Sequence, residues 1–155
     1  MRKCSKSRCR ICQFVEEGDT FGENAEYCIN FLFDCDSAGV VYLIKCKTCS
    51  KIYVGSTITF RNRFNNHKSS GARWIAGEHL YEHFFQSGHN GLEDIVVKII
   101  DRADVNDPTR SEGFWAYKLD SFVPKGLNLR DFLWILVFLF SHRNLHVICI
   151  FCVYK

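Results

Sequence analysis

Nine cysteines and six histidines stand out in a chain of 155 residues, and their spacings are those of metal ligands. Cys46-Lys47-Thr48-Cys49 sets two thiols in a Cys-x-x-Cys turn. Two histidine pairs can complete a tetrahedral zinc site with it: His79 with His83, or His83 with His89. Near the start, Cys4, Cys9 and Cys12 run as Cys-x4-Cys-x2-Cys, and a distant Cys35 or Cys28 can close a four-thiolate site. Met1-Arg2-Lys3-Cys4 leads into a polar segment and not an apolar run, so a nuclear or cytoplasmic location is expected. In such compartments Cys-x-x-Cys pairs read as ligands in preference to disulfides, and an odd thiol count argues against a fully paired framework. The plainer alternative is a set of buried free thiols, since cysteine is among the most buried residue types.

Charge is distributed unevenly. The net charge of +3 says little, but no Asp or Glu occurs from Ser37 to Gly77, a stretch holding Lys45, Lys47, Lys51, Arg61, Arg63, Lys68 and Arg73. A locally uncompensated basic run is the footprint of a surface that meets phosphates. Hydrophobic content of 47% is enough for a core, and 24% charged residues do not describe a disordered chain.

The elements that must position these groups follow from periodicity. Val40 to Ile44 is a β-branched and aromatic run, hence a strand, and Ile52 to Val54 is a second; the short connection between them makes the pair antiparallel. Thr59 to about Lys68 is a helix with Phe60 and Phe64 on one face, Arg63 and His67 at the edges of that stripe, and Arg61 and Asn62 nearer the open side. Glu78 to Gln86 is a second helix, Ile95 to Ile100 a third strand, and Asp107-Pro108-Thr109 starts a helix that runs to about Leu119. The predicted fold is α+β, a small and mainly antiparallel sheet flanked by helices. Residues 37–131 form this domain, preceded by a Cys-rich zinc knuckle over 1–36 with little core of its own.

Five ordered elements inside it resemble a known family. Gly39-Val40-Val41-Tyr42 and Tyr53-Val54-Gly55 look like the two signatures of the GIY-YIG nucleases. Arg63-Phe64-Asn65-Asn66-His67 is similar to the family's Arg-x-x-x-His helix, Glu112 to its metal-binding glutamate, and Gly126-Leu127-Asn128 to its terminal motif. The resemblance implies a DNA endonuclease that hydrolyses phosphodiester bonds. Glu112 would hold a catalytic Mg²⁺ (or Mn²⁺), which acts as a Lewis acid. Arg63 would clamp phosphate oxygens, Tyr42 would be the general base, and Tyr53 would orient water or phosphate. His67 would bond phosphate or shuttle a proton, and Asn128 would brace the site. The Cys-x-x-Cys between the two tyrosine signatures most resembles the endonucleases of Penelope-like retroelements. Those show a similar His-Phe…Gly-His segment, which favours Cys46, Cys49, His83 and His89 as a structural zinc set beside Cys4, Cys9, Cys12 and Cys35. A reverse transcriptase module absent from this chain is then an expected partner. Taken singly, the tyrosines read as strand residues, Glu112 as the end of a capping box begun by Thr109, and Asn128 as a turn residue.

Residues 132–155 are nearly all apolar, beginning with the unbroken run Phe132 to Phe140. Arg143 and two histidines break the middle of the stretch, which argues against a membrane span. Translation past a truncated element is the expected origin of this tail, and a weak anchor the alternative. The competing function is a catalytically silent DNA-binding fragment of a decayed transposable element.

Overall fold

The computed structural model describes residues 1–22, 26–73 and 79–129. The apolar tail 132–155 lies outside the described residues, and no described helix is long and apolar enough to cross a membrane. In chain order the elements are β1 (Thr20–Phe21), β2 (Tyr27–Cys28), β3 (Ala38–Cys46), β4 (Ile52–Thr59), α1 (Phe60–Arg73), α2 (His79–Phe85), β5 (Ile95–Arg102) and α3 (Pro108–Lys118).

β3 is the centre of an antiparallel three-stranded sheet of order β4-β3-β5, and β1 pairs with β2 in a separate small ribbon. Central placement explains the unbroken apolar run Val40–Ile44: both faces of β3 are covered, and every residue of that run is buried. Register assigns the faces. Tyr42 is opposite Gly55 and Ile44 opposite Tyr53 on one face, while Leu43 is opposite Val54 and Val41 opposite Ser56 on the other. α1 covers the Tyr42 face through Phe60 and Phe64, both fully buried, with the Phe60 ring 5.7 Å from that of Tyr42. α3 covers the opposite face, where Trp115 packs edge-on against Phe21 and Tyr27 and donates to Asp101 at 2.9 Å.

The expected strands are longer than their apolar runs. β4 continues through Gly55, Ser56 and Thr57 because its outward side is satisfied by groups far along the chain, which a local pattern does not contain. Residues 1–36, expected to have little core of their own, share that of the sheet. Met1, Ile11, Val15, Phe21, Ile29 and Phe33 are buried in the same apolar cluster as the sheet. Glu16 N–H donates to the Val97 carbonyl at 3.0 Å, so this segment closes the free edge of β5. These apolar residues stand singly among polar ones, which hides them from periodicity.

The edge of β4 is closed by the other end of the described chain. Leu127 N–H donates to the Ile52 carbonyl at 2.9 Å. Asn128 then grips Val54: its Oδ1 accepts the Val54 N–H at 2.9 Å and its Nδ2 donates to the Val54 carbonyl at 2.8 Å. The turn before it needs Gly126, where a Cβ would collide with the Ser121 backbone. Asn128→Ala leaves the buried N–H and carbonyl of Val54 short of partners, while the Ser121 hydroxyl keeps the Ala116 carbonyl. It is expected to cost about 2–4 kcal/mol of stability, read as a lowered urea midpoint with an unchanged slope.

Candidate active site and metal-binding clusters

Tyr42, Tyr53, Arg63, His67 and Glu112 come together around the β3–β4 pair. The Tyr42 hydroxyl is the meeting point. It lies 2.7 Å from His67 Nε2 and accepts from Arg63 Nε at 3.2 Å. Arg63 also bonds Tyr53, whose ring stands 6.5 Å from that of Tyr42 and 6.0 Å from His67. Space for the two rings comes from Gly55. A Cβ there would lie 2.6 Å from Tyr42 Oη and 2.9 Å from Tyr53 Cε1. The glycine of the second signature is therefore a steric requirement of the tyrosines.

Tyr42 is fully buried, Tyr53 half-buried, and Arg63 exposed over both. Burial raises the Tyr42 pKa, and the neighbouring Tyr53 adds to the effect against the opposing pull of Arg63. Burial, followed by the Arg63 charge, pushes His67 down to about 4, so its imidazole is neutral at pH 7. Both ring nitrogens are engaged by tyrosines, because Nδ1 lies 2.6 Å from Tyr81 Oη. Tyr81 was not among the residues read from sequence; an aromatic on a helix carries no signal separating it from core.

Glu112 reaches the open edge of β4. One carboxylate oxygen, Oε2, accepts from the Ser56 N–H at 2.7 Å and the Ser56 hydroxyl at 2.8 Å. Burial raises its pKa, while the Ser56 bonds and the Arg63 charge work in the opposite direction. It completes no capping box: the N-cap of α3 is Asp107, which accepts from Arg110 N–H at 3.0 Å. Oε1 takes no hydrogen bond among the described residues. One anchored carboxylate with a free hard oxygen is a donor set suited to Mg²⁺, which keeps most of its waters.

Two further clusters suit a softer ion. The ligand atoms of Cys4, Cys9, Cys12 and Cys35 lie within 4.8 Å of one another, and none of the four is in a disulfide. Thiolates ~2.3 Å from a tetrahedral ion stand about 3.8 Å apart. Cys4 to Cys12 and Cys12 to Cys35 are each 3.6 Å. Burial opposes ionisation of Cys9, but the Ile11 N–H and the Arg61 guanidinium outweigh it and hold its thiol at about 6. Cys28 stands apart, exposed on β2. The second cluster is Cys46, Cys49, His83 and His89, also within 4.8 Å. His83 Nδ1 lies 3.1 Å from Gln86 Nε2, and His83 Nε2 faces Cys49 Sγ at 3.3 Å. His89 is telling: among the described residues both its ring nitrogens are buried without a hydrogen-bond partner, a costly state that a metal at this cluster would relieve at one of them. The side chain of His79, the alternative ligand, lies outside the described part of the structure.

The basic run does not make one surface. Lys45 and Lys51 border a cavity of about 560 Å³ on the face opposite Tyr42, together with Lys98 and Lys118. Arg61 is not on the open side of α1. It donates to Asp36 at 2.6 Å and to Cys9 Sγ at 3.4 Å, because the N-terminal segment folds back over that helix.

His67 predicts a pH dependence of stability. Its imidazole binds a proton near pH 6.5 when unfolded and only near 4 when folded. The neutral form's stabilisation is thus present above pH 6.5 and is lost as pH falls toward 4. Between about pH 7 and pH 5, the wild type is expected to lose about 2 kcal/mol more unfolding free energy than His67→Gln, measured by urea titration. The cysteine clusters titrate in both proteins and cancel in the difference.

No curated protein matches the chain. Among solved structures, the catalytic domain of homing endonuclease I-TevI is 23% identical with a TM-score of 0.51, over 59% of this chain and 98% of that chain. A single-site mutant of the catalytic domain of intron endonuclease I-TevI gives 23% identity and a TM-score of 0.49, over 59% of this chain and 92% of that chain. The I-TevI catalytic domain thus shares the fold. A family model described as the GIY-YIG catalytic domain matches residues 38–116, which is 79 of 155 residues and spans both tyrosines, Arg63, His67 and Glu112. The chain belongs to the GIY-YIG family of nuclease catalytic domains.

Proposed function

We propose that the protein is a metal-dependent DNA endonuclease of retroelement type, most like the enzyme of Penelope-like elements, acting in the nucleus or cytoplasm alongside a reverse transcriptase module. The observation that carries the catalytic part is the bonded set Arg63–Tyr42–His67 beside the anchored Glu112. The retroelement assignment rests on the Cys46–Cys49–His83–His89 cluster, whose two cysteines lie in the hairpin between the two tyrosine signatures and whose histidines come from α2 and the loop after it.

The residues divide the reaction as follows. Glu112 would hold a divalent cation such as Mg²⁺, which would supply Lewis-acid neutralisation of the phosphate. Arg63 turns its fork from the tyrosines onto phosphate oxygens, which uncovers the Tyr42 hydroxyl. Water attacks phosphorus and gives its proton to Tyr42 Oη, while Tyr42 passes its own proton to His67 Nε2; the ester oxygen leaves and takes a proton from solvent. Because the buried Tyr42 resists ionisation, the two transfers run together and no free phenolate forms first. Of the two roles expected of His67, the proton shuttle suits a residue only 7% exposed. The two Cys-containing clusters would hold structural Zn²⁺: one would tie the β3–β4 turn to α2, and the other would fasten the N-terminal segment, whose Cys9 accepts from Arg61 of α1.

Cleavage of supercoiled plasmid by the full chain tests this. Nicking is expected with Mg²⁺ or Mn²⁺, abolished by chelator and by Glu112→Ala, and the purified protein is expected to carry zinc by elemental analysis. A folded, zinc-loaded chain that binds plasmid and never nicks it would establish the silent DNA-binding fragment instead. In the same assay Gly55→Ala, which displaces Tyr42 and Tyr53, is expected to slow nicking by about 100-fold while the protein stays folded.

A further inference from the structure

Tyr81 is 2% exposed and sits on α2, a helix of seven residues with His83 on its other side. Its hydroxyl lies 2.6 Å from His67 Nδ1, the shortest link in the chain Arg63–Tyr42–His67–Tyr81. The order of donors along that chain decides whether it can work. Arg63 Nε has hydrogen to give and nothing to accept with, so Tyr42 Oη accepts from it. For Tyr42 to shed its own proton, His67 Nε2 must be a bare lone pair. A neutral imidazole with bare Nε2 carries its hydrogen on Nδ1, and that hydrogen needs a buried acceptor. The Tyr81 oxygen is the atom in position. With the other tautomer Nε2–H would point at Tyr42, and the proton leaving the reacting water would have no place to go.

We propose that Tyr81 is a positioning residue of the cleavage reaction: it accepts the Nδ1–H of His67 and thereby selects the tautomer whose Nε2 takes the proton of Tyr42. Tyr81 touches neither phosphate nor water in this role and acts only through His67. The inference rests on the nuclease reading above.

The test uses the full chain labelled with ¹⁵N-histidine and loaded with Zn²⁺. Long-range ¹H–¹⁵N correlation reports which ring nitrogen of His67 bears hydrogen, independently of any activity. The wild type is expected to be Nδ1-protonated. Tyr81→Phe keeps the ring and removes the acceptor, so His67 is expected to move toward Nε2 protonation. The plasmid-nicking rate at saturating protein should fall about tenfold with plasmid Kd unchanged, the size typical of losing a partner that orients a functional histidine. An Nε2-protonated wild type overturns the proposal. So does a Tyr81→Phe protein in which either the tautomer or the nicking rate stays as in wild type. If the wild type does not nick with Mg²⁺ or Mn²⁺, the nuclease reading fails, and the resonances of wild type and Tyr81→Phe alone decide whether Tyr81 sets the tautomer.

Discussion

A phenol buried at the centre of a β-sheet has to be satisfied, and much of this molecule is arranged around doing so for Tyr42. Its hydroxyl is held between a guanidinium and an imidazole, in a space that exists only because the residue opposite it on β4 has no side chain. The imidazole is in turn held from behind by a second tyrosine. These partners come from three elements: β4 gives the glycine, α1 the arginine and histidine, α2 the tyrosine. In an interior of low polarizability such bonds are strong and their loss is costly, so the network fixes the elements as much as they fix it.

The same edge strand that makes room for the tyrosines also recruits the carboxylate. The outward N–H groups of Val54 and Ser56 point away from β3, and side chains rather than another strand receive them: Asn128 takes one and Glu112 the other. Edge closure and placement of the acidic group are therefore one structural solution. A carboxylate there covers an exposed strand edge through one oxygen and leaves the other without a hydrogen bond among the described residues, within the electrostatic reach of Arg63.

Much of this was legible in the sequence, because the residues of the site are chemically distinctive and fall in an order that local elements preserve. The tyrosines announce themselves on apolar strands, and Arg63 and His67 by their offset from Phe60 and Phe64. The cysteine and histidine sets were legible for the same reason, ligand chemistry and spacing being local. What escaped was set by distance along the chain. Ser56 became the anchor of Glu112 only through register and packing. Arg61 was placed on the open side of its helix because the wheel contains no N-terminal segment to cover it. The basic residues from Lys45 to Lys68 read as one surface in sequence and are divided in the fold: Lys45 and Lys51 border the cavity on the face opposite Tyr42, whereas Arg63 stands on α1, which covers the Tyr42 face.

The brace at the edge of β4 has a consequence for how the molecule comes into being. Asn128 and Val54 are 74 residues apart in sequence, and Glu112 and Ser56 are 56 apart. Contacts of that separation bear a large loop-closure entropy before they stabilise anything, so they form late and slow the folding of a small sheet. On the ribosome the tyrosines emerge first and the residues that complete their surroundings last. A growing chain thus carries the site's groups unassembled until residue 128 has cleared the exit tunnel.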